Sequence, residues 1–424
     1  MNNRNGTATG DDAVPSTAPL GELHAYFQPI IALETRGIVG YETLGRHAVD
    51  GTIRSLGPFF TDAGISVAEH VRVDRLLREQ ALGKLSAMAD PPVLFLNLKP
   101  SWIYDQYVKT GELHTLQLLQ KYGVDPRRIC IEITEEEFTG SMSELNQIIN
   151  LYRESGCQIA IDDVGSGFSN FDRIAQIQPN LLKIDIHLMK KSAVHQGYLG
   201  AMRSFSTLAE QMGASLLVEG VETRDDLRRA IQIGARYVQG YLFSPAVPGF
   251  IAPDAFTELI EAELADHRDR LRESQAHWDE VGTALIESVR RSDIEQEMSR
   301  SPLAADRSVS ADPADQADDA IRAMLGSLDE SCHRVFLCTN TGIQLSSNHD
   351  RSHGGEWRVQ KQYRNADWSW RPYFIPLLSR GKSRTEAMLS PRYSDLDTRK
   401  WIRTVSIPVG SEYILLIDRS DDTN

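Results

Sequence analysis

The stretch IAIDDVGSGFSN (159–170) decides how this chain is read. A short apolar run, suited to a buried strand, ends on two adjacent carboxylates, Asp162 and Asp163, and passes into a loop that carries Gly165, Gly167 and two serines. Like charges side by side at the end of a buried strand repel each other and resist desolvation, so a positive partner must sit with them.

The same form recurs on both sides. HAYFQPIIAL (24–33), GIVGYETLGR (37–46), PVLFLNLK (92–99), ICIEIT (129–134), QIAIDDV (158–164), LLKID (181–185), SLLVEGV (215–221) and YVQGYLF (237–243) are short apolar runs. Amphipathic stretches such as VAEHVRVDRLLREQALGKL (67–85) and MSELNQIINLYRES (142–155) fill the intervals at lengths that suit crossover helices. Eight strands alternating with helices predict an α/β fold, a (β/α)8 TIM-type barrel. The turn ETRG (34–37) is too brief to hold a helix, so one strand there is expected to be antiparallel.

In such a barrel the chemistry gathers where strands end at their carboxyl edge. The polar residues that close the runs are Glu42, Asn97, Glu132, Asp162 with Asp163, Lys183, Glu219 and Gln239. Any one alone reads as a solvated strand end, but nearly every strand contributes one. Converging carboxylates with an amide call for hard divalent cations such as Mg²⁺ or Mn²⁺. The pair Asp162 and Asp163 could flank two ions about 3.5 to 4 Å apart, the spacing that activates water against a phosphodiester. The GSG segment is either a flexible loop beside the ions or simply a tight strand-to-helix turn.

Composition narrows the class of protein. The 424 residues suggest two or three domains, and 45 basic against 59 acidic residues give a net charge of −14, which argues against nucleic acid held by a broad basic face. Cys130, Cys157, Cys332 and Cys338 lack metal-ligand spacing and read as reduced thiols of a cytoplasmic protein. Residues 1–20 form a polar leader, expected to be disordered, without the form of a signal peptide, and no apolar stretch is long enough to span a membrane.

Over roughly residues 20 to 250 the sequence resembles the EAL family of cyclic-di-GMP phosphodiesterases. YFQPI, GYETLGR, FLNLKP, IEITEEEF, IDDVGSGFSN, LKIDIHLMK, VEGVET and VQGYLFSPAVP follow one another in the family's order. The resemblance implies hydrolysis of cyclic-di-GMP to linear pGpG, dependent on Mg²⁺ or Mn²⁺, in a homodimer. It further implies that Glu42, Asn97, Glu132 and Asp162 hold one ion, and Asp162, Asp163 and Glu219 a second. Lys183 would position the attacking water, Glu219 would be the general base, and Glu222 and Gln239 would support the ion-water network. Gln28, Arg46, Asp163 and Gly240 would meet the nucleotide, and Glu135 would anchor the loop that begins at Val164. Thr43, Val164 and Asn170 depart from the family pattern, and the last two lie in the loop that couples ion binding to dimerisation in the family.

Beyond a barrel at 21–252, a long helix is expected over 253–299, with Leu264, Leu271, Trp278 and Leu285 at seven-residue intervals and Ile260 and Val281 beside them. This suits a coiled coil or an amphipathic helix packed on its own domain. Residues 300–317 read as a linker rich in Ser, Ala, Asp and Pro. Residues 318–424, with VFLCTN, GIQLSSN, RTVSIPV and YILLID as strands, resemble a small α+β sensor domain of PAS-like or Cache-like type. Arg371, Tyr373 and Asp395 are its candidates for a small polar ligand, or else Arg371 and Asp395 are an internal pair. The functional readings are a phosphodiesterase regulated by that domain, a cyclic-di-GMP receptor without useful turnover, and a barrel phosphoesterase for another substrate.

Overall fold

The structure is a computed structural model that describes residues 21–134, 140–165, 171–299, 312–352, 354–371, 373–375 and 386–421. The chain divides into two compact units, residues 1–268 and 269–424.

The first unit is the barrel. Its strands are β1 (Glu22–Ala32), β2 (Gly37–Val49), β3 (Thr52–Ser55), β4 (Val93–Leu98), β5 (Ile129–Thr134), β6 (Gln158–Val164), β7 (Leu181–Ile184), β8 (Ser215–Val218) and β9 (Tyr237–Val238). The order β1-β9-β8-β7-β6-β5-β4-β2 closes through pairing of β1 with β2, while β3 hangs on β2 as a hairpin outside the ring. β1 is antiparallel to both neighbours, as the four-residue turn requires, and β2 with β4 through β9 run parallel. The helices are α1 (Gly57–Thr61), α2 (Val67–Ser86), α3 (Pro100–Thr110), α4 (His114–Tyr122), α5 (Met142–Glu154), α6 (Phe171–Ile177), α7 (Ile186–Ser192), α8 (Gln196–Met212), α9 (Arg224–Gln232) and the start of α10 (Thr257–Arg291). Local chemistry marks several starts. The Ser66 side chain caps α2, and Ser141 with Glu144 closes a capping box on α5.

Strand alternation explains where the polar residues go. Ile30, Phe95, Cys130, Ala160, Leu181 and Leu217 form one buried cluster that plugs the ring. Because side chains alternate with period two, the residues two positions on point the same way. These are Asn97, Glu132, Asp162, Lys183 and Glu219, and on the reversed strand β1 it is Gln28, two positions before Ile30. The intervening residues, among them Leu94, Leu96, Ile131, Ile133, Ile159 and Ile161, join the core beneath the helices.

The second unit holds the rest of α10, then α11 (Ile294–Ser299) and α12 (Pro313–Met324), and an antiparallel sheet. Its strands are β10 (Cys332–Thr339), β11 (Asn348–Arg351), β12 (Trp357–Gln360), β13 (Met388–Leu389), β14 (Tyr393–Ser394), β15 (Trp401–Val409) and β16 (Tyr413–Ser420), in the order β12-β11-β10-β16-β15-β13 with β14 beside β15. Trp278, Val281, Leu285, Ala317 and Ile321 pack with Val335, Leu337, Leu415 and Ile417, while Phe336, Cys338, Phe374 and Leu416 form a separate cluster.

Three expectations change. The helix expected over 253–299 ends at Arg291 and resumes as α11. Its heptad positions do not make one seam, since Ile260 serves the barrel core and Trp278 the second core, with Leu271 57% exposed between them. The linker expected through residue 317 is helical from Pro313, because Asp312 caps that helix and proline suits its first turn. GIQLSSN is not a strand before Asn348; Gln344 N donates to Ala366 O and Leu345 N to Leu337 O, each at 2.8 Å, while Ser346 Oγ accepts from Leu337 N at 2.8 Å and Asp318 Oδ1 from Ser347 N at 2.7 Å. Among the described residues no helix is long and apolar enough to cross a membrane.

Candidate active site

Lys183, wholly buried, stands at the centre of the barrel mouth. Its Nζ lies 2.6 Å from Glu132 Oε1, 2.6 Å from Glu219 Oε1, 3.1 Å from Asp162 Oδ1 and 4.0 Å from Glu42 Oε2. The cation demanded by the carboxylates is thus supplied, within the protein itself, by the lysine of β7. Burial works against the Lys183 ammonium, but Asp162, Glu132, Glu219 and Glu42 outweigh it and hold the group well above its ordinary range.

Around this centre the amides orient Glu42. Asn97 Nδ2 donates to Glu42 Oε1 at 2.8 Å, and Gln239 Nε2 to Glu42 Oε2 at 2.7 Å. Gln239 Nε2 also reaches Gln28 Oε1 at 3.2 Å, and Gln28 Nε2 donates to Ser244 O at 3.2 Å. The pairing of Gln28 opposite Glu42 in the β1–β2 ladder is what brings the amide to the carboxylate.

Adjacent residues in a regular strand face opposite sides, yet Asp162 and Asp163 serve the same cluster. The β6–β7 register shifts between Ile161 and Val164, and Asp163 takes a left-handed backbone at φ 59°. A non-glycine residue held there costs about 1 kcal/mol or more, and such strain collects at functional sites. Asp163 N donates to Asp162 Oδ1 at 3.0 Å, and Asp162, Asp163 and Glu219 each offer an oxygen within 4.8 Å of the others.

Burial pushes Glu219 up to about 8, with Lys183 opposing and Asp162 and Glu42 adding to the rise. It pushes Asp163 up to about 6, helped by Asp162 and Asp185, and raises Glu132 well above the carboxylate range despite Lys183. Glu132 Oε2 is buried without a hydrogen-bond partner among the described residues. All-oxygen donors, an orphaned carboxylate oxygen and a strained aspartate fit a site for hard divalent ions.

The remaining expected residues divide. Arg46 lines, with Asn97, Asp162 and Asp163, a cavity of about 430 Å³. Thr43 lines it too, its hydroxyl buried without a hydrogen-bond partner among the described residues. Glu222 is held by Lys190 Nζ at 3.2 Å. Gly240 does not line this cavity. A Cβ there would meet Val221 O at 2.2 Å, so its place is the close crossing of the loops that carry Glu219 and Gln239. Val164 is a core residue of β6. Glu135 and Asn170 lie outside the described residues. Sequence reasoning missed the outer wall of the cavity, where Phe60, Asp74, Lys99 and Trp102 stand; Lys99 Nζ sits 4.9 Å from the Trp102 ring centre. The signal of Phe60, Asp74 and Trp102 was faint, since they come from helices that close no strand, whereas Lys99 directly follows β4.

In the second unit Asp395 pairs with Arg334 at 2.9 Å rather than with Arg371, and both line a cavity of about 570 Å³ with Asp350, Asp397 and Asp418. Arg371 and Tyr373 do not line it. Arg371 lies over the rings of Trp370 and Tyr373, and Tyr373 stacks on Tyr393.

Comparison with known proteins agrees with this fold. Residues 12–246 match the EAL domain family, and residues 296–422 match a family described as an EAL-domain associated signalling protein domain, which replaces the PAS-like or Cache-like description. YkuI of Bacillus subtilis, described as an uncharacterized EAL-domain containing protein, is 32% identical over 406 residues, 94% of each chain. The cyclic di-GMP phosphodiesterase RocR of Pseudomonas aeruginosa is 31% identical over 236 residues, 54% of this chain and 58% of RocR. The crystal structure of YkuI in complex with c-di-GMP and calcium superposes with a TM-score of 0.81 at 31% identity, covering 95% of this chain and 97% of that one.

Proposed function

This chain belongs to the EAL domain family, and on that premise we propose that it hydrolyses one phosphodiester bond of cyclic-di-GMP to give linear pGpG, with Mg²⁺ or Mn²⁺ as cofactor. The observation that carries the reading is the convergence of Glu42, Glu132, Asp162 and Glu219 on one buried cation at the barrel mouth, with Asn97 bonded to Glu42 and Asp163 grouped with Asp162 and Glu219.

Those six residues would hold the ions. Bound divalent ions supply charge neutralisation at the phosphate and a lowered pKa for water. The chain's own groups do the rest. Lys183 keeps a positive charge beside the scissile phosphate, since its neighbours hold it protonated. Glu219, beside Asp162 and Asp163, is the carboxylate suited to take the attacking water's proton. Gln28 and Gln239 fix Glu42, Arg46 offers a guanidinium to the nucleotide, and Lys190 steadies Glu222 in the loop beside Glu219.

Regulation by the signalling domain, with a small ligand there, belongs to the same proposal. So does a homodimer, supported by Phe171 and Val194, 57% and 88% exposed in the helical region after β6. A cytoplasmic setting suits four buried unpaired thiols.

The test is purified protein with cyclic-di-GMP and Mn²⁺ or Mg²⁺, with pGpG followed by chromatography. Tight binding without pGpG at any enzyme concentration would replace the enzyme by a receptor. Comparing the full chain with residues 1–268 tests regulation, and sedimentation velocity tests the dimer.

A further inference from the structure

Glu263 is a carboxylate with no exposed surface on α10, outside the mouth. Each of its oxygens is taken by a different arginine of α9. Arg224 Nη1 donates to Oε1 at 2.9 Å and Arg228 Nε to Oε2 at 2.8 Å. Arg228 also reaches Asp225 at 3.1 Å and Asp266 at 3.9 Å. The stretch of α10 around Glu263 is itself fixed to the barrel, by Ile260 in the core and by Thr257 Oγ1, which donates to Arg36 O at 2.9 Å.

What makes this clamp more than a surface tie is what α9 carries. Leu227 and Ala230 anchor the body of α9 by burial, but its first turn has polar ties only. Thr223 caps it, and Asp226 accepts from Thr223 N at 2.9 Å and from Glu222 N at 3.2 Å. The four residues before that cap are Glu219, Gly220, Val221 and Glu222. Val221 N donates to Gln239 O at 3.0 Å, so the loop is pinned to the mouth on one side and to the α9 start on the other. The Glu263 clamp holds that start.

We infer that Glu263 is a positioning residue for the Glu219–Glu222 loop, through which α10 sets how tightly the mouth binds a divalent ion. The inference rests on the functional reading above only in taking Glu219 as an ion ligand. A group that orients a ligand from outside the ligand set is commonly worth about 10-fold or more in ion affinity.

The experiment uses the full chain with Mn²⁺ alone. In Glu263→Gln, which keeps the shape and removes the charge, calorimetry should show a Kd for Mn²⁺ weaker by about 10-fold. Hydrogen exchange at the 219–223 amides should quicken while β5 and β6 keep their protection. Arg224→Gln, at a side chain 58% exposed, serves if the first variant folds poorly, and should move both readouts the same way by a smaller factor. Arg228→Lys, which retains the charge, should stay near wild type. A merely structural ion pair would lower the melting temperature without moving the Kd. Mn²⁺ affinity within twofold of wild type in both Glu263→Gln and Arg224→Gln, or unchanged exchange at 219–223, overturns the inference. A wild-type chain that binds Mn²⁺ but yields no pGpG removes the hydrolysis reading and leaves this test standing.

Discussion

Replacing Lys183 by methionine probes the claim that one buried lysine is the resident cation of the carboxylate ring. Its two nearest contacts, at 2.6 Å each, are worth about 6 kcal/mol apiece at an effective dielectric near 20. Taking the ammonium out of water costs several kcal/mol in return, and removing one partner of a buried ion pair nets about 3 to 5 kcal/mol of lost stability. At roughly 2 to 4 °C per kcal/mol for a unit of this size, the barrel of Lys183→Met should melt about 10 °C lower in EDTA. The pH dependence has a definite sign. Without the lysine, Glu132 and Glu219 lose their opposing charge, so their folded-state pKa values rise further. A carboxyl whose folded pKa is raised costs stability as pH climbs through it, so the deficit should be small near pH 5 and wide above Glu219's value of about 8. Mn²⁺ should narrow it by restoring positive charge. Calorimetry at several pH values, following the transition that shifts with Mn²⁺, makes the measurement. A deficit under about 1 kcal/mol at pH 8 in EDTA, or one that does not change with pH, would mean that Lys183 does not neutralise the ring.

Four further outcomes follow from the same geometry. Glu42→Ala removes the carboxylate that Asn97 and Gln239 orient, and should cut pGpG formation by roughly a hundredfold or more while the circular dichroism of the barrel is kept. Mn²⁺ must displace protons from Asp163, raised to about 6, and Glu219, raised to about 8, so its Kd should tighten from pH 6 to 8 and then level off; calorimetry in buffers of different ionisation enthalpy would count the protons released. Gly220→Ala puts a Cβ 2.2 Å from Ile186 Cγ1 at a backbone φ of 63°, and should cost more than about 1 kcal/mol in urea titrations and weaken Mn²⁺ binding by displacing Glu219. Arg334→Met leaves Asp350, Asp395, Asp397 and Asp418 without their shared guanidinium, and should destabilise the second unit by about 3 kcal/mol or more, read as earlier loss of protection in β10 and β16.

The barrel and the centre of its mouth were legible because both follow from strand alternation. An apolar plug residue such as Cys130, Ala160 or Leu181 fixes the face, and the residue two positions on must share it. That rule places Glu132, Asp162 and Lys183 in one layer from the sequence alone. It fails wherever position depends on a turn. β9 is only two residues long, so Gln239 reaches the mouth from just beyond the strand, held by Gln239 N donating to Val218 O at 3.0 Å. Gly240 carries no side chain to announce its role, which is to let two loops cross. The cavity wall of Phe60 and Trp102 lies on helices, whose 3.6-residue period says which face is buried but not what that face borders.

Charges hide more effectively than apolar residues. Glu263 lies in the helix over which a seven-residue apolar repeat was traced, one position before Leu264, and looks like an outward charge there. Its burial depends on two arginines 35 and 39 residues away in sequence, a pairing without periodic signature. Asp395 shows the same blindness from the other side. Its chemistry suited a ligand amine, and the partner it has is Arg334 on β10, whose guanidinium also meets Asp350 and Asp418. A residue type therefore limits the charge of its partner, and only the packing of distant elements decides whether that partner is a ligand, an ion or another side chain. At the barrel mouth the question is decided by number: Glu42, Glu132, Asp162, Asp163 and Glu219 exceed what one lysine can neutralise, so the alternation that gathers them also obliges them to share protons or bind further cations.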